Sequence, residues 1–446
     1  MTYTGEKGKK VAFHTLGCKL NFSETSTISR DFKEKGFEVV NFNSEADIYV
    51  INTCSVTEQA DKKCRQSIRK IQNKNPEAFI AVVGCYAQLK PEEIAKNLGV
   101  DIVLGTKEKF NILEYLDNLQ KKETPEIYSC EIEEIENFDS SHSEADRTRS
   151  FLKVQDGCDY SCSYCTIPLA RGKSRNKKIE DLIIEAGKIA QSGIKEIILT
   201  GVNIGDFGKS TDESFFDLIR SIEKVKGIER IRISSIEPNL LTNEIIELVS
   251  LSNKFLPHFH IPLQSGCNKI LAKMQRRYSR ELFKSRVDKI KLLMPDAFIG
   301  VDVIVGFPDE TDDDFNETYQ FLEELDASFY HVFSYSERPN TKSAGFENKI
   351  PKNIISSRSK KLNDLATKKQ TKFYIQNLSK EKNVLFEAYK KDDLIYGFTE
   401  NYIKVETKYN KSFVGTIKKV KLDAIAPSGN VSSLCKKTPN TSLLSC

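Results

Sequence analysis

Short apolar runs separated by amphipathic stretches govern what this chain can fold into. Between about residues 10 and 121 the runs KVAFHTLG, DIYVINT, FIAVVG and DIVLG alternate with helical patterns, one from Asn21 to Lys35, one through Arg65 and one after Pro91. Alternation of this kind predicts βαβ units and a parallel sheet. The pattern restarts near residue 150 with FLKVQ, EIILTG, RIRISSI, FHIPL, FIGVDVIVGF and YHVFSYS, followed by helical stretches such as IEDLIIEAGKIAQSG and TDDDFNETYQFLEEL. Six units in about 190 residues predict a partial (β/α)6 barrel, because a full eight-unit barrel does not fit. A long polar helix is expected from Asn353 to Asn377, and then the character changes to short β-like runs, NVLFEAY, LIYGFT, YIKVET and SFVGTIKKVKL. Those runs predict a small β-barrel, with a loose tail rich in Ser, Asn and Thr from Pro427 onward.

The expected fold class is therefore α/β, with an N-terminal parallel-sheet α/β domain, a central partial (β/α)6 barrel and a small C-terminal β-barrel. A chain of 446 residues has room for about three domains. The boundaries are expected at 10–121, 147–377 and 378–440, with a linker at 122–146. Residues 130–146 hold seven acids and no Lys or Arg, which reads as a solvated acidic segment. Residues 380–446 hold 12 lysines and 7 acids, an excess larger than the +4 of the whole chain. That excess suits a phosphate backbone, or else a solvated lysine-rich surface. No apolar run approaches the roughly 20 residues that cross a bilayer, so no membrane partner is expected. The start, MTYTGEKGKK, lacks the apolar core of a signal peptide, and a cytoplasmic location is expected.

Eleven cysteines in such a chain point to metal or redox chemistry, since cytosolic thiols are kept reduced. Cys18, Cys54 and Cys85 each follow a predicted strand. In open α/β sheets ligands bind at the carboxyl ends of the strands, so these three can converge, although each could also be a small buried hydrophobe. A second set, Cys158, Cys162 and Cys165, falls in GCDYSCSYCTIP, the loop after the first barrel strand. Its spacing is too tight for a disulfide framework, and the nearest histidines, His142 and His258, are too remote in sequence to complete a local zinc site. Three thiolates so placed can hold three irons of a cubane iron-sulfur cluster and leave the fourth iron open to a small molecule. Cys64, Cys130, Cys267, Cys435 and Cys446 have no metal spacing and read as structural or incidental.

The C-x3-C-x2-C loop, with Tyr164 before its last cysteine, resembles the radical S-adenosylmethionine (SAM) enzymes. TLGCKLN, INTCSVTEQAD and VVGCYAQ, together with CTIPLARGKSR, HIPLQSGCNKIL and GVDVIVGFPDET, narrow the resemblance to the methylthiotransferases. The C-terminal runs resemble the TRAM RNA-binding domain. The resemblance implies two 4Fe-4S clusters, one on Cys158, Cys162 and Cys165 that cleaves SAM to a radical, the other on Cys18, Cys54 and Cys85 that holds or supplies sulfur. It also implies SAM contacts at Gly201, Asn203, Gln264 and Asp302, and an electron donor such as flavodoxin or ferredoxin. The hard step would be carried by the cofactor, and no general acid or base is nominated. The basic run Arg171, Lys173, Arg175, Lys177 and Lys178 is expected to meet a phosphate-bearing substrate.

Three substrate classes are known in that family: isopentenyl-adenosine in tRNA, threonylcarbamoyl-adenosine in the tRNA anticodon loop, and an aspartate of a ribosomal protein. TLGCKLN, GCYAQ and IPLARGKSRN look most like the bacterial enzymes acting on threonylcarbamoyl-adenosine. Leu16, Lys19 and Leu20 depart from the Tyr-Gly-Cys-Gln pattern of the isopentenyl type and the Cys-Pro-Lys pattern of the ribosomal-protein type. An alternative of another kind is an iron-sulfur RNA-binding sensor without turnover, which would not need a complete SAM barrel.

Overall fold

The computed structural model describes residues 8–116, 119, 121–143 and 148–434. Cys435, Cys446 and the end of the acidic segment, 144–146, lie outside the described residues. The N-terminal module runs β1 (Lys10–Thr15), α1 (Lys19–Glu34), β2 (Glu38–Val40), β3 (Ile48–Thr53), α2 (Glu58–Lys74), β4 (Phe79–Gly84), α3 (Cys85–Leu89), α4 (Pro91–Leu98), β5 (Ile102–Leu104) and β6 (Glu126–Tyr128). Its six strands are all parallel, in the order β2-β1-β3-β4-β5-β6. Side chains alternate across a strand, so Tyr49 and Ile51 enter one core while Ile48 and Val50 enter the other. A sheet covered on both faces needs such unbroken apolar strands.

The central module comprises β7 (Arg149–Lys153), α5 (Ile167–Arg171), α6 (Ile179–Gln191), β8 (Glu196–Thr200), α7 (Phe215–Ile222), β9 (Arg230–Ile233), α8 (Asn243–Leu251), β10 (His258–Gln264), α9 (Asn268–Lys273), α10 (Arg280–Leu293), β11 (Phe298–Val305), α11 (Asp312–Glu324), β12 (Phe329–Ser334) and α12 (Lys352–Asn377). All six expected strands form. They fall into two three-stranded parallel sheets, β7-β8-β9 and β10-β11-β12. Between β9 and β10 the wall is held by single bridges, Ile231 to Phe255 and Ser235 to His260. Helix starts are sharp because Ser214, Thr242, Ser279 and Thr311 each accept a backbone N–H three residues on, a cap that contributes about 1 kcal/mol apiece.

A closed five-stranded barrel follows, made of β13 (Glu381–Lys391), β14 (Leu394–Thr399), β15 (Lys404–Lys408), β16 (Ile417–Ile425) and β17 (Val431–Leu434). β17 corrects the expected loose tail after Pro427. VSSL pairs with β15 and β16 and removes the open edge that a four-stranded sheet would expose. The acidic segment is likewise only partly solvated. Glu131, Glu133, Glu134 and Glu136 are exposed, but Ser141, His142 and Ser143 are buried and His142 bridges Leu152. Among the described residues no helix is long and apolar enough to cross a membrane.

A buried ionic network joins the first two modules. Glu24 on α1 meets Lys109, Lys153 and Arg171, and Asp156 meets Lys153, Arg171 and Arg175, at 2.8–3.5 Å. Burial alone would raise both carboxyls, but Arg171 and the lysines hold Glu24 and Asp156 well below the usual carboxylate range. A carboxylate whose pKa is depressed on folding contributes stability above its unfolded value of about 4, and loses it as the pH falls further. The urea midpoint is therefore expected to drop steadily below about pH 4. At pH 7, Arg171→Met should cost about 3–5 kcal/mol, because it strands two buried carboxylates. Unfolding curves of the two proteins across pH check both, and an unchanged midpoint in the variant would refute the role given to the network.

Candidate active site

Gly157 shapes the loop that carries the central cysteines. Its φ is +70°, and a Cβ there would lie 1.9 Å from the Lys173 carbonyl oxygen. Backbone bonds fix the rest: Cys158 N–H donates to the Gly172 carbonyl at 3.0 Å, Ser163 N–H to that of Met274 at 3.1 Å, and Cys165 N–H to that of Cys162 at 3.1 Å. Cys158 Sγ accepts the Tyr160 N–H at 3.4 Å, and Cys162 Sγ accepts from Arg276 Nη1 at 3.0 Å. Arg276 is itself paired with Glu237. Burial pushes the Cys158 thiol up to about 11 and that of Cys165 up to about 12. Burial raises Cys162 as well, against the pull of Arg276.

The N-terminal cysteines converge by topology. The direction of winding reverses between β1 and β3, and ligands gather at such a switch point. Cys18 caps α1 just after β1, Cys54 follows β3, and Cys85 opens α3 after the adjacent β4. Gly17, at φ +114°, lets the Cys18 turn lie against Cys54, since a Cβ there would stand 2.7 Å from Cys54 Cβ and 3.3 Å from its Sγ. Burial, then repulsion from Cys85 and Cys18, pushes the Cys54 thiol up to about 12. Of the five cysteines read as incidental, Cys64 is fully buried in the N-terminal core and Cys267 lies beside Asp314.

The donor sets fit a cluster better than a lone ion. Among the described residues, the groups whose donor atoms all lie within 4.8 Å of one another are His260–Asp302–His331 and Cys267–Asp314–Glu317, and neither cysteine triad is one of them. Sulfurs bound to one zinc, each at about 2.3 Å, lie closer together than that. Thiols raised by burial must shed their protons to bind metal, which calls for a strongly cationic centre.

Arg171 connects the two triads. Its Nη1 donates to Glu24 and to Asp156, both at 2.9 Å, and its Nη2 to Asn21 Oδ1 at 2.8 Å. Asn21 Nδ2 donates to the Leu16 and Thr53 carbonyls at 2.9 Å, and the Cys18 thiol donates to Asn21 Oδ1 at 3.6 Å. An unbroken chain of bonds thus runs from the Cys18 turn to Asp156, two residues before Cys158. This corrects the reading of the basic run. Arg171 and Arg175 are buried in the ionic network and unavailable to phosphate, while Lys173 and Lys178 are exposed.

The four residues expected near SAM are spread over neighbouring strands. Gly201 and Asn203 follow β8, where Gln155 Oε1 accepts the N–H groups of Val202 and Asn203 at 3.0 and 2.9 Å. Asn203 is buried, and its Oδ1 has no partner among the described residues. Gln264 ends β10 at φ +69°, and Asp302 on β11 accepts from His260 Nε2 at 2.6 Å. Sequence reasoning missed Arg276, Glu237 and Gln155, which no local motif marks. Asn21 was findable, because three residues after Cys18 it shares a helix face with it.

Comparison with known proteins gives a concordant picture. Residues 10–105 match the uncharacterized protein family UPF0004, and residues 152–322 match the radical SAM superfamily. The chain is 40% identical to a threonylcarbamoyladenosine tRNA methylthiotransferase, MtaB, of Bacillus subtilis, covering 92% of this chain and 93% of that one. It is 34% identical to a tRNA-2-methylthio-N(6)-dimethylallyladenosine synthase of Clostridium tetani, covering 94% and 96%. Among solved structures, the radical SAM methyltransferase TsrM from Kitasatospora setae shares the fold with a TM-score of 0.54 over 73% of each chain, at 15% identity.

Gly157→Ala is expected to cost at least about 1–3 kcal/mol for its positive φ alone, and more for the clash with Lys173. Thermal unfolding together with limited proteolysis of the 157–173 loop reads this, and wild-type behaviour would show that the loop tolerates a side chain.

Proposed function

This chain belongs to the radical SAM tRNA methylthiotransferases, and we propose that within that family it inserts a methylthio group at C2 of threonylcarbamoyl-adenosine beside the anticodon. Its cofactors are two 4Fe-4S clusters and S-adenosylmethionine. The observation that carries the reading is the pair of cysteine triads joined through Arg171 and Asn21. A sensor or a simple electron carrier needs neither two such sites nor a SAM barrel. For the substrate, the higher identity to the threonylcarbamoyladenosine relative than to the dimethylallyladenosine relative is the support.

We assign Cys158, Cys162 and Cys165 to one cluster and Cys18, Cys54 and Cys85 to the other. When bound, the first cluster with SAM supplies one-electron cleavage and hydrogen abstraction, and the second supplies sulfur. The chain's own residues orient and shield. Arg276 steadies Cys162 from the far side of the barrel, and its partner Glu237 keeps that guanidinium compensated. Asn203 offers an unmatched buried acceptor to SAM, with Gly201 beside it, Gln264 at the end of β10 and Asp302 within β11. The C-terminal barrel, rich in lysine, takes the tRNA backbone. A one-electron donor of the flavodoxin or ferredoxin type completes the reaction, and the cytoplasm is where tRNA and donor are both met.

Anaerobic reconstitution with SAM and dithionite should yield 5′-deoxyadenosine, and its absence from a cluster-replete sample would sink the radical reading. Replacing Cys18, Cys54 or Cys85 with Ala should spare 5′-deoxyadenosine formation and abolish methylthio product, whereas equal loss of both activities would refute the division of labour. Mass spectrometry of tRNA nucleosides from a strain lacking the gene identifies the substrate by which nucleoside loses its methylthio group.

A further inference from the structure

The three modules enclose a cavity of about 510 Å³, a size in the range of small-ligand sites. Lys19 of α1 enters from the N-terminal module, His258, His260 and His331 from the central barrel, and Tyr402 and Lys404 from the C-terminal barrel. One wall is aromatic. The Tyr402 ring is stacked on Phe398 at 4.8 Å, lies 4.2 Å from His258, and is 5.7 Å from Phe298. Flat surfaces of this kind hold an unstacked base without reading its sequence. His258 is only 6% exposed, and its Nδ1 has no hydrogen-bond partner among the described residues. A buried polar atom left unpaired in a cavity wall is costly, and a ligand can relieve it.

The charges in this wall are unbalanced. Lys19 and Lys404 are both half-buried, and among the described residues no carboxylate pairs with either. Asp302 is committed to the cavity-lining His260 at 2.6 Å, and Glu406 to Ser428 and Asn430 at 2.7 and 2.8 Å. Two half-buried amines on one cavity wall without a counter-ion suit an anionic ligand. Lys19 also directly follows Cys18, the first of the N-terminal thiols.

We propose that this cavity seats the modified nucleoside, the purine lying along the aromatic lining and the carboxylate of its threonylcarbamoyl group received by Lys19 and Lys404. The proposal rests on the substrate reading above and gives it a physical cause. An uncharged isopentenyl group in the same seat would cover two half-buried ammonium groups without supplying a counter-ion, and that penalty disfavours it. The other anion on tRNA, a backbone phosphate, is shared by every substrate and would give the lysines no power to discriminate.

The test uses the reconstituted full-length enzyme and synthetic anticodon stem-loops that differ in one group, threonylcarbamoyl-adenosine against its threoninamide counterpart. Wild-type kcat/KM should be about 10- to 100-fold lower on the neutral RNA, the range set by losing charge-assisted hydrogen bonds. In Lys19→Met and Lys404→Met the acid should lose that advantage, so the ratio of kcat/KM between the two RNAs collapses toward one. Iron and sulfide content, measured on each variant, separates this from failed cluster loading. Equal wild-type rates on the two RNAs would overturn the proposal even if neither variant could be purified. A variant defect of equal size on both RNAs would overturn it too, because that is the mark of a phosphate contact. If wild type modifies an isopentenyl-adenosine stem-loop and neither of these RNAs, the substrate reading itself falls, and the carboxylate seat with it.

Discussion

One guanidinium sets the geometry on which everything else depends. Arg171, almost wholly buried, bonds Glu24 and Asn21 of α1 on one side and Asp156 of the cluster loop on the other. A buried ion pair is poor value for stability in itself, since desolvation offsets most of the attraction. What the network supplies is registration: a planar donor with several fixed N–H directions permits few relative positions of the two modules. The network also carries more cations, Lys109, Lys153, Arg171 and Arg175, than the two acids balance. The surplus lies beside Cys18 and Cys85. Thiolates formed on metal binding would complete the balance.

A six-unit barrel needs help to close, and the other modules provide it. α1 of the N-terminal module packs on the β7 edge, and beyond β12 Arg338 reaches Ser55 and Asp61 at 2.7 and 2.8 Å. On β9, Arg230 and Arg232 donate to the carbonyls of Asn383, Thr399 and Glu400 of the C-terminal barrel at 2.7–2.9 Å. The cavity between the modules exists only when all three are docked. If the cavity seats the substrate, recognition depends on module docking, which the buried charges at these seams fix.

The sequence revealed the parts of this structure that are periodic or local. Every expected strand of the first two modules carries an apolar run, and each expected cysteine follows its strand because the runs end there; β2 (EVV) and β6 (EIY), three-residue edge strands, carry too little pattern to be expected. What it concealed depended on burial by distant segments. Arg171 and Arg175 sit in a run that reads as a basic surface, and only Glu24, well over a hundred residues away in sequence, turns it inward. β17, a four-residue segment with two serines, has too little apolar pattern to register as a strand until β15 and β16 pair with it. Arg276 reaches Cys162 across 114 residues with no motif around it.

Lys19 breaks local rules in a way that points to its use. It is the first residue of α1, and the first turn of that helix holds no acid. A helix N-terminus carries partial positive charge, so a lysine there is unfavourable by a few tenths of a kcal/mol to about 1 kcal/mol. Burial and the nearby Arg149 and Arg232 add to that cost. An Asp or Glu at the same position would favour both the helix and the surrounding field. Residues that oppose their own secondary structure concentrate at functional sites, where a ligand supplies the compensation. Here the partner that fits is an anion small enough for the cavity and able to reach the residue beside Cys18, and the carboxylate of a threonylcarbamoyl group has those properties.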